Sequence, residues 1–306
     1  LLDVAYNIEY GAETTDQSAL NLLYLLGYGT RPGNLQLFGA SDERYHIRGG
    51  NQRLPEAIAA TLPGPIKTGW RLTAIAPTGN RTRLTFATAR GMEQVVADRV
   101  ILTIPFAVLR TLDLSGTGWD ARKLRAIREL GRGRNGKLQL QFNARTWNAQ
   151  GSNGASYADT GYQATWEVSR GQAGATGILV DYTGGNVTGA LGQRRPSITF
   201  ADAATNGVTA EAQTFLGQAA PVFPGLAPQW NGKATLSIQH NHPYSLCSYS
   251  YFRVGQYQDF GGYEGVPQGT VHFAGEHTSQ DAQGYMEGGA ETGIRAANEV
   301  LAALGA

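Results

Sequence analysis

The chain has 306 residues, with 25 lysines and arginines against 24 aspartates and glutamates, which gives a formal net charge of +1 at pH 7. This length suits one large or two medium domains. The balanced charge argues against nucleic acid or another polyanion as a partner. A single cysteine, Cys247, excludes an internal disulfide bond. No apolar run reaches the roughly 18–20 residues that cross a bilayer, so no membrane anchor is expected.

The N-terminal part of the chain predicts helices. Residues 1–5 carry neither an initiator methionine nor a signal-peptide pattern, which indicates a cut through a longer chain, in or just before a helix. Residues 14–17, Thr-Thr-Asp-Gln, resemble a capping box that begins a helix, and Gly27 is expected to end it. The inward face of that helix is predicted to carry Ala19, Leu22, Leu23 and Leu26.

Residues 45–105 predict a region rich in strands. Residues 45–50 alternate apolar and polar side chains and end in a glycine pair, which predicts a strand, and a helix is expected at 54–62. Two strand-like stretches flank the turn sequence Thr-Gly-Asn at 78–80, which predicts a hairpin, with a third strand around 95–96. Residues 99–105 are nearly all apolar and predict a strand buried on both faces.

Residues 131–136 fit the pattern G-x-G-x-x-G letter for letter. A dinucleotide fingerprint needs a strand before these glycines and a helix after them. Here a predicted helix at 120–130 comes first and an alternating strand at 137–142 follows, so we reject the motif and expect a true fingerprint upstream of this chain. The basic residues on the helix are interpreted as a solvated face: Arg122, Lys123, Arg125 and Arg128.

The middle of the chain alternates strands with turns rich in glycine and asparagine over residues 150–235. A helix is predicted near 210–219. This pattern favours a mixed sheet with helices packed on it.

The C-terminal part of the chain carries the most informative pattern. A strand at 270–274 runs into a glycine, two charged residues and a short polar loop, and a helix then begins among glycines. Backbone N–H groups at a helix N-terminus attract electron-rich ligand groups, and glycines let a bulky planar group approach the backbone. The helix carries one apolar stripe at helical spacing, formed by Met286, Ala290, Ile294, Ala297 and Leu301.

Residues 273–297 resemble, without a gap, the C-terminal flavin-contacting motif of the FAD-dependent amine oxidases, a family that includes monoamine, polyamine and L-amino acid oxidases. The resemblance implies an α/β fold with a Rossmann-like, discontinuous FAD-binding domain of the glutathione-reductase type and an α+β substrate domain. The N-terminal dinucleotide-binding βαβ segment is then absent from the chain. The implied substrate domain comprises residues 1–43 and 114–240, and the implied FAD-binding domain comprises residues 44–113 and 241–306.

The resemblance also implies site residues. Lys137 falls where the family keeps a lysine that holds a water against the flavin, near the place where dioxygen reacts, and Lys137 and Tyr285 are the expected catalytic residues. Cys247 falls where monoamine oxidases carry a cysteine bonded to the flavin, although many relatives hold FAD without a bond, and we favour that arrangement. The expected FAD contacts are Arg48, Gly49, Gly50, Leu72, Thr103, Pro105, Cys247, Gly275, Glu276, Gly284, Tyr285 and Met286.

The expected reaction is oxidation of a small-molecule amine to an imine, with dioxygen reduced to hydrogen peroxide. The expected walls of the substrate cavity are Trp166, Tyr249, Tyr251 and Tyr285. Ser248 stands where monoamine oxidases have a second cage tyrosine, so the cage is complete only if another aromatic residue fills that place. A diamine would call for an acidic residue along the cavity, with Glu167, Asp181 and Asp259 as candidates.

Two alternatives remain open. One is an L-amino acid oxidase of the same family, which would need an arginine clamp for the substrate carboxylate, with Arg253 as the nearest candidate. The other is a non-catalytic fragment that binds FAD only beside a partner segment, since phosphate binding depends on the missing glycine-rich loop. No metal is expected, a homodimer is compatible with the sequence, and the compartment, cytoplasmic or exported, is left open.

Overall fold

The structure, a computed structural model, describes residues 1–27, 45–202 and 207–305. The α-helices of these residues are α1 (Leu2–Tyr10), α2 (Ala19–Gly27), α3 (Arg53–Ala60), α4 (Phe106–Leu109), α5 (Ala121–Glu129), α6 (Thr146–Ala149), α7 (Gly185–Arg194), α8 (Thr209–Ala219), α9 (Gln256–Phe260) and α10 (Met286–Leu304). The strands are β1 (Arg71–Thr78), β2 (Arg81–Thr88), β3 (Gly91–Ala97), β4 (Val100–Leu102), β5 (Gly131–Arg132), β6 (Gly136–Phe142), β7 (Ser156–Tyr157), β8 (Ala164–Glu167), β9 (Gly177–Thr183), β10 (Phe200–Asp202), β11 (Trp230–Ile238), β12 (Ser250–Tyr251) and β13 (Val271–Phe273).

The largest sheet has six strands in the order β10-β11-β6-β9-β8-β7, and every neighbouring pair is antiparallel. The predicted helix at 210–219 is confirmed as α8, but the mixed sheet is wrong, because no crossover returns a strand parallel to its neighbour. Leu138, Leu140 and Phe142 point to one face of β6 and are buried together with Phe215 of α8. The other face carries Lys137 and is left for the site described below.

The strands predicted within residues 71–105 are present in the structure, with different bounds. β1, β2 and β3 form an antiparallel meander, and β4 pairs in parallel with β13. Val100 and Leu102 of β4 enter the same core as Phe273, but Ile101 between them is 38% exposed. The prediction that both faces of this strand are buried is therefore wrong for this chain: successive side chains point to opposite faces, and only one face is fully covered by the described residues.

Helix α5 buries a lysine that the sequence placed in solvent. Asp120 caps the helix by accepting a hydrogen bond from the Lys123 N–H at 2.8 Å. The Lys123 side chain is fully buried, and its Nζ donates to the carbonyls of Tyr263 (2.8 Å) and Glu264 (2.6 Å) above the Phe273 ring. The solvated face predicted for this helix is wrong at Lys123, because these carbonyl oxygens replace water as acceptors. The rejection of the glycine motif at 131–136 is confirmed, since α5 precedes it and β6 follows it.

Helix α2 spans Ala19–Gly27, and its start and its buried face differ from the prediction; the predicted stop at Gly27 borders residues outside the described ranges. Residues 14–16 form a single 3-10 turn, and Gln17 is extended and donates from its amide to the carbonyls of Tyr6 and Ala12. The predicted capping box is therefore absent, because the glutamine that would close it is used to hold α1. The buried face carries Asn21 and Leu25, whereas Ala19 and Leu23 are exposed.

The glycine pair at 49–50 makes a turn. The N–H of Gly50 donates to the carbonyl of Ile47 at 2.9 Å, and the φ angles of 87° at Gly49 and 98° at Gly50 belong to the region that favours glycine. The strand predicted over residues 45–50 is therefore wrong. The following helix is confirmed as α3, and none of its side chains is buried.

Helix α10 exposes the apolar stripe that the sequence showed. Small residues, Gly288, Thr292 and Ala296, face the interior, while Met286, Ile294 and Leu301 are 55%, 65% and 49% exposed. In the described part of the chain, no helix, α10 included, combines the length and apolar character needed to cross a bilayer.

Candidate functional site

The candidate site lies between the loop after β13, the start of α10 and the loop before β12, and a buried carboxylate ties these segments together. Glu276 accepts hydrogen bonds from the Ser250 N–H (3.0 Å), the Ser250 hydroxyl (2.9 Å) and the Gly284 N–H (2.9 Å). Burial raises the pKa of Glu276, and the three donors act in the opposite direction. The carboxyl group of Glu276 therefore fixes the site's backbone from within.

A sharp turn at Gly275 follows β13. Its φ angle is 125°, and a Cβ atom there would lie 2.7 Å from the His277 ring, so only glycine fits. The Thr292 hydroxyl accepts from the Gly275 N–H at 2.9 Å and donates to the Gly288 carbonyl at 2.6 Å, which fastens the turn to α10. The Thr103 carbonyl lies 3.7 Å from the same Cβ position, and Pro105 follows at the N-cap of α4. The structure thus brings Thr103 close to Gly275, and both are expected FAD contacts.

The N-terminus of α10 fits a planar, electron-rich group. Tyr285 occupies the N-cap without a side-chain capping hydrogen bond, so N–H groups of the first turn face a ligand or solvent. A Cβ at Gly284 would approach the Tyr249 ring no closer than 3.8 Å, and one at Gly289 would meet nothing within 4 Å. The Asn51 amide lies 3.7 Å from the Met286 sulfur. This contact places the turn at Gly49 and Gly50, together with the preceding Arg48, beside the start of α10.

Four aromatic side chains, hereafter the aromatic cluster, line up beside Lys137: Trp166, Tyr182, Tyr249 and Tyr285. Strand pairing places Lys137 opposite Tyr182, and the Lys137 ammonium lies 5.4 Å from the Tyr182 ring centre and 6.0 Å from that of Trp166. The Trp166 and Tyr182 rings meet edge to face at 5.2 Å. The hydroxyl oxygens of Tyr182 and Tyr249 are 2.8 Å apart, which joins the sheet to the loop before β12.

An acidic side chain from α1 completes this group. The Tyr285 hydroxyl donates to a Glu9 carboxylate oxygen at 3.1 Å, and the Tyr249 hydroxyl lies against the carbonyls of Ile8 and Glu9. Sequence reasoning missed both Glu9 and Tyr182. The alternating pattern of β9 could have indicated Tyr182, because Tyr182 lies on the same face of the sheet as Lys137. No nearby residue indicates Glu9, which reaches the site through a contact between the two ends of the chain.

Several predicted residues lie outside the aromatic cluster. Tyr251 is buried against α1 and α2, and Leu72 is buried in the core beneath β1 and β2. The acidic candidates are also elsewhere: Glu167 pairs with Arg145 at 2.6 Å, Asp259 pairs with Arg125 at 2.7 Å, and Asp181 points to the opposite face of the sheet from Lys137. The backbone of Arg253 pairs with Gln17.

Cys247 is buried, and its thiol donates to the Ser245 carbonyl at 3.4 Å. Burial, reinforced by the nearby carboxylate of Glu276, raises the pKa of this thiol to about 12. The group is therefore a neutral thiol at physiological pH, and a neutral thiol is a poor nucleophile.

Comparisons with known proteins agree with this geometry. The sequence model for flavin-containing amine oxidoreductases matches residues 17–301. The putative L-amino-acid oxidase YobN of Bacillus subtilis (strain 168) is 29% identical over 269 residues, covering 86% of this chain and 54% of that protein. Polyamine oxidase 2 of Arabidopsis thaliana is 28% identical over 239 residues, covering 76% of this chain and 44% of that protein. The chain thus spans about half the length of the curated relatives it matches.

The fold is also shared with a solved structure of wild-type putrescine oxidase bound to putrescine. That structure superposes with a TM-score of 0.75 at 16% identity, over 98% of this chain and 64% of the other. The match shows the α/β flavoenzyme fold of the FAD-dependent amine oxidases. With a family match that extends over nearly its whole length, the chain belongs to the flavin-containing amine oxidoreductases.

Proposed function

We propose that the chain forms the larger part of an FAD-dependent oxidase that converts an amine to an imine, which water hydrolyses to a carbonyl compound and ammonia, while dioxygen is reduced to hydrogen peroxide. One observation carries this proposal: Lys137 and the N-terminus of α10 are linked through the aromatic cluster. Tyr182 contacts Lys137 and Tyr249, and the Tyr249 ring faces the side of Gly284 on which a Cβ atom would lie 3.8 Å from it. An amine between these groups would lie beside any planar cofactor held at the helix start.

The residues at the helix start fit the flavin. FAD, when bound, supplies the electron-accepting chemistry. The open sides of Gly284 and Gly289 and the uncapped first turn of α10 would hold it, and Thr103 and Gly275 would line the neighbouring phosphate and sugar positions. We propose that binding is non-covalent, because the Cys247 thiol is buried and neutral.

The chain's own residues then have distinct roles. The rings of the aromatic cluster attract the ammonium form of the substrate and give its neutral form an apolar contact. The Glu9 carboxylate beside Tyr285 favours a substrate with a positive charge. Lys137 would hold a water molecule where dioxygen reacts, as the family resemblance implies. Tyr285 contacts both the substrate space and the helix start.

An L-amino acid is the second candidate substrate, and the name of the Bacillus relative favours it. Its carboxylate would be repelled by Glu9 and would need a cationic clamp in addition to Lys137. The two candidate substrate classes can be distinguished by steady-state kinetics. Oxidation of a diamine and of an L-amino acid is measured for the wild type and for Glu9→Gln. On our account, the variant raises KM for the diamine; a lower KM for the L-amino acid, with the diamine not oxidised by either protein, would favour the alternative.

The exposed apolar stripe of α10 supports a further segment of the same enzyme. Helix α3 also exposes apolar side chains, Leu54 and Ile58. Parallel sheets are normally buried on both faces, whereas the parallel pair of β4 and β13 has one face exposed at Ile101. We propose that a dinucleotide-binding βαβ segment covers this surface and completes an FAD-binding domain of residues 44–113 and 241–306. The substrate domain is then 1–43 and 114–240; its boundary at residue 43 lies outside the described residues.

A visible absorption spectrum tests this arrangement, recorded for the isolated 306-residue chain and for the chain joined to the completing segment. We expect flavin absorbance only in the joined protein. Flavin bound to the isolated chain would contradict the need for the segment. After acid precipitation the pellet should be colourless; a yellow pellet would show a covalent bond and contradict the proposed non-covalent binding.

A further inference from the structure

A cavity lies on the face of the six-stranded sheet opposite Lys137. It has a volume of about 370 Å³, opens to solvent, and is lined mainly by residues of the sheet, α7 and α8. Successive side chains of a strand point to opposite faces, so Lys137 and Tyr182 face the aromatic cluster, while their neighbours Leu138 and Asp181 face this cavity. The cavity therefore does not belong to the candidate site described above.

Asp181 is an unpaired carboxyl group in the wall of this cavity. Its side chain is 8% exposed, and its Oδ1 has no hydrogen-bond donor among the described residues. Burying an ionised carboxylate without a partner is costly, so such groups are normally paired or protonated. Burial raises the pKa of Asp181 to about 7, which leaves a large ionised fraction at physiological pH.

A second carboxylate reaches the same cavity from α8. Glu211 lines the cavity, and its Oε1 accepts from Arg195 at 2.8 Å, but its Oε2 is buried and lacks a donor among the described residues. Two acceptor oxygens of acidic side chains are thus left without donors in one cavity. Tyr162 is a titratable group near Asp181, Arg194 lines the same cavity, and Arg195 pairs with Glu211.

The remaining walls determine which cation fits. Leu138, Leu191, Phe215 and Leu236 form the apolar part of the lining, and Thr183, Arg194, Thr214 and Gln218 add polar side chains. Across the described ranges, no three His, Cys, Asp or Glu side chains come together as metal ligands. A primary ammonium group offers three N–H donors, and an alkyl chain attached to it matches the apolar walls. We propose that this cavity binds a primary alkylammonium ion, with Asp181 as its main partner.

This proposal does not depend on flavin or turnover, so direct binding to the 306-residue chain tests it. Isothermal titration with n-butylammonium chloride at pH 8 should show saturable binding, and the part of it that Asp181→Asn removes should correspond to one ion per chain. Tetramethylammonium, which has the same charge but no N–H donor, should show no binding that depends on Asp181. Affinity should fall roughly tenfold at pH 6, because Asp181 is then mostly protonated. The absence of saturable butylammonium binding at pH 8 would overturn the proposal.

Variants locate the bound ion. Asp181→Asn, which mimics the protonated side chain, should weaken binding at least tenfold, while Asp16→Asn on an exposed turn should not change it. Leu191→Trp should block the cavity without touching the carboxylate and should also abolish binding. Circular dichroism confirms that each variant is folded. Undiminished binding in both Asp181→Asn and Leu191→Trp would place the ion elsewhere, for example at the aromatic cluster, and would overturn the proposal.

Discussion

The hydroxyl oxygens of Tyr182 and Tyr249 lie 2.8 Å apart, and this hydrogen bond joins the central strand β9 to the loop that precedes β12. Tyr182 also lies against Lys137, and the Tyr249 ring faces Gly284 before α10, where a Cβ atom would lie 3.8 Å from the ring. The pair therefore sets the distance between the lysine and the helix N-terminus, which are the two ends of the candidate site.

Removing this hydrogen bond should loosen the join between the two parts. Tyr182→Phe and Tyr249→Phe, combined in a double-mutant cycle of urea unfolding, should give a coupling energy of about 1 kcal/mol. Tyr249→Phe alone should cost more than Tyr182→Phe, because its hydroxyl also contacts the Ile8 and Glu9 carbonyls. A coupling energy of zero would mean that the two hydroxyls do not stabilise each other.

Lys137 should act on the oxidative half of the reaction. Lys137→Met in the flavin-bound protein should slow reoxidation of the reduced flavin by dioxygen by on the order of tenfold or more, whereas reduction by the amine should change little. Stopped-flow absorbance measures both rates. Lys233→Met provides a control, because Lys233 is an exposed lysine on β11 of the same sheet. Reoxidation at the wild-type rate in Lys137→Met would contradict the assigned role.

His277 should make the fold sensitive to acid. Burial, followed by the charge of Lys123, lowers the pKa of His277 to about 3, so the folded chain stays unprotonated there while the unfolded chain binds a proton below about 6.5. The unfolded state then binds more protons between these values, and the free energy of unfolding falls as the pH falls. Between pH 7.5 and pH 5 this loss is roughly 2 kcal/mol.

Urea unfolding of His277→Gln at both pH values checks this linkage. The variant is less stable overall, because the ring packs on Phe106 at 4.5 Å, but the part of the pH dependence that His277 causes should disappear. His46→Gln, an exposed histidine, should keep the full dependence. An unchanged slope in His277→Gln would show that other groups cause the acid sensitivity.

The apolar stripe of α10 should matter for assembly more than for the stability of this chain. Ile294 is 65% exposed, so Ile294→Glu should change the free energy of unfolding of the isolated chain by less than about 0.5 kcal/mol. In the joined protein the same change should abolish flavin retention, because it places a charge in the proposed contact. Ala302→Glu on the same helix is the control. Unchanged stability of the isolated chain and unchanged flavin retention in the joined protein would show that a new charge on α10 is not itself harmful. Full flavin retention in Ile294→Glu would argue against a covering segment.

Features set by nearby residues could be predicted from the sequence. The hairpin of β1 and β2, the strand, turn and helix from β13 to α10, and the rejection of the glycine motif before β6 all depend on short stretches with clear turn residues. The C-terminal motif was also long enough to indicate the family. Thr103, Gly275 and Gly284 were expected as FAD contacts from the family resemblance, and that role stays a prediction.

Features set by distant contacts could not be predicted. Lys123 reads as a surface residue, and only the carbonyls of Tyr263 and Glu264 make its burial possible. Glu9 enters the site through Tyr285, which is 276 positions away. The sheet around β6 was predicted to be mixed, because the sequence of a single strand does not show whether its neighbours are parallel or antiparallel. The apolar stripe of α10 was visible in the sequence, but its exposure depends on which other elements are present.

We propose that this chain, joined to the covering segment, oxidises amines with bound flavin. The most direct test is the visible absorption spectrum of the complete, flavin-bound protein before and after anaerobic addition of a diamine such as putrescine. We predict that the absorption bands of oxidised flavin disappear on addition of the amine and return when air is admitted. Bound flavin whose bands stay unchanged with every amine and L-amino acid tested would contradict the account.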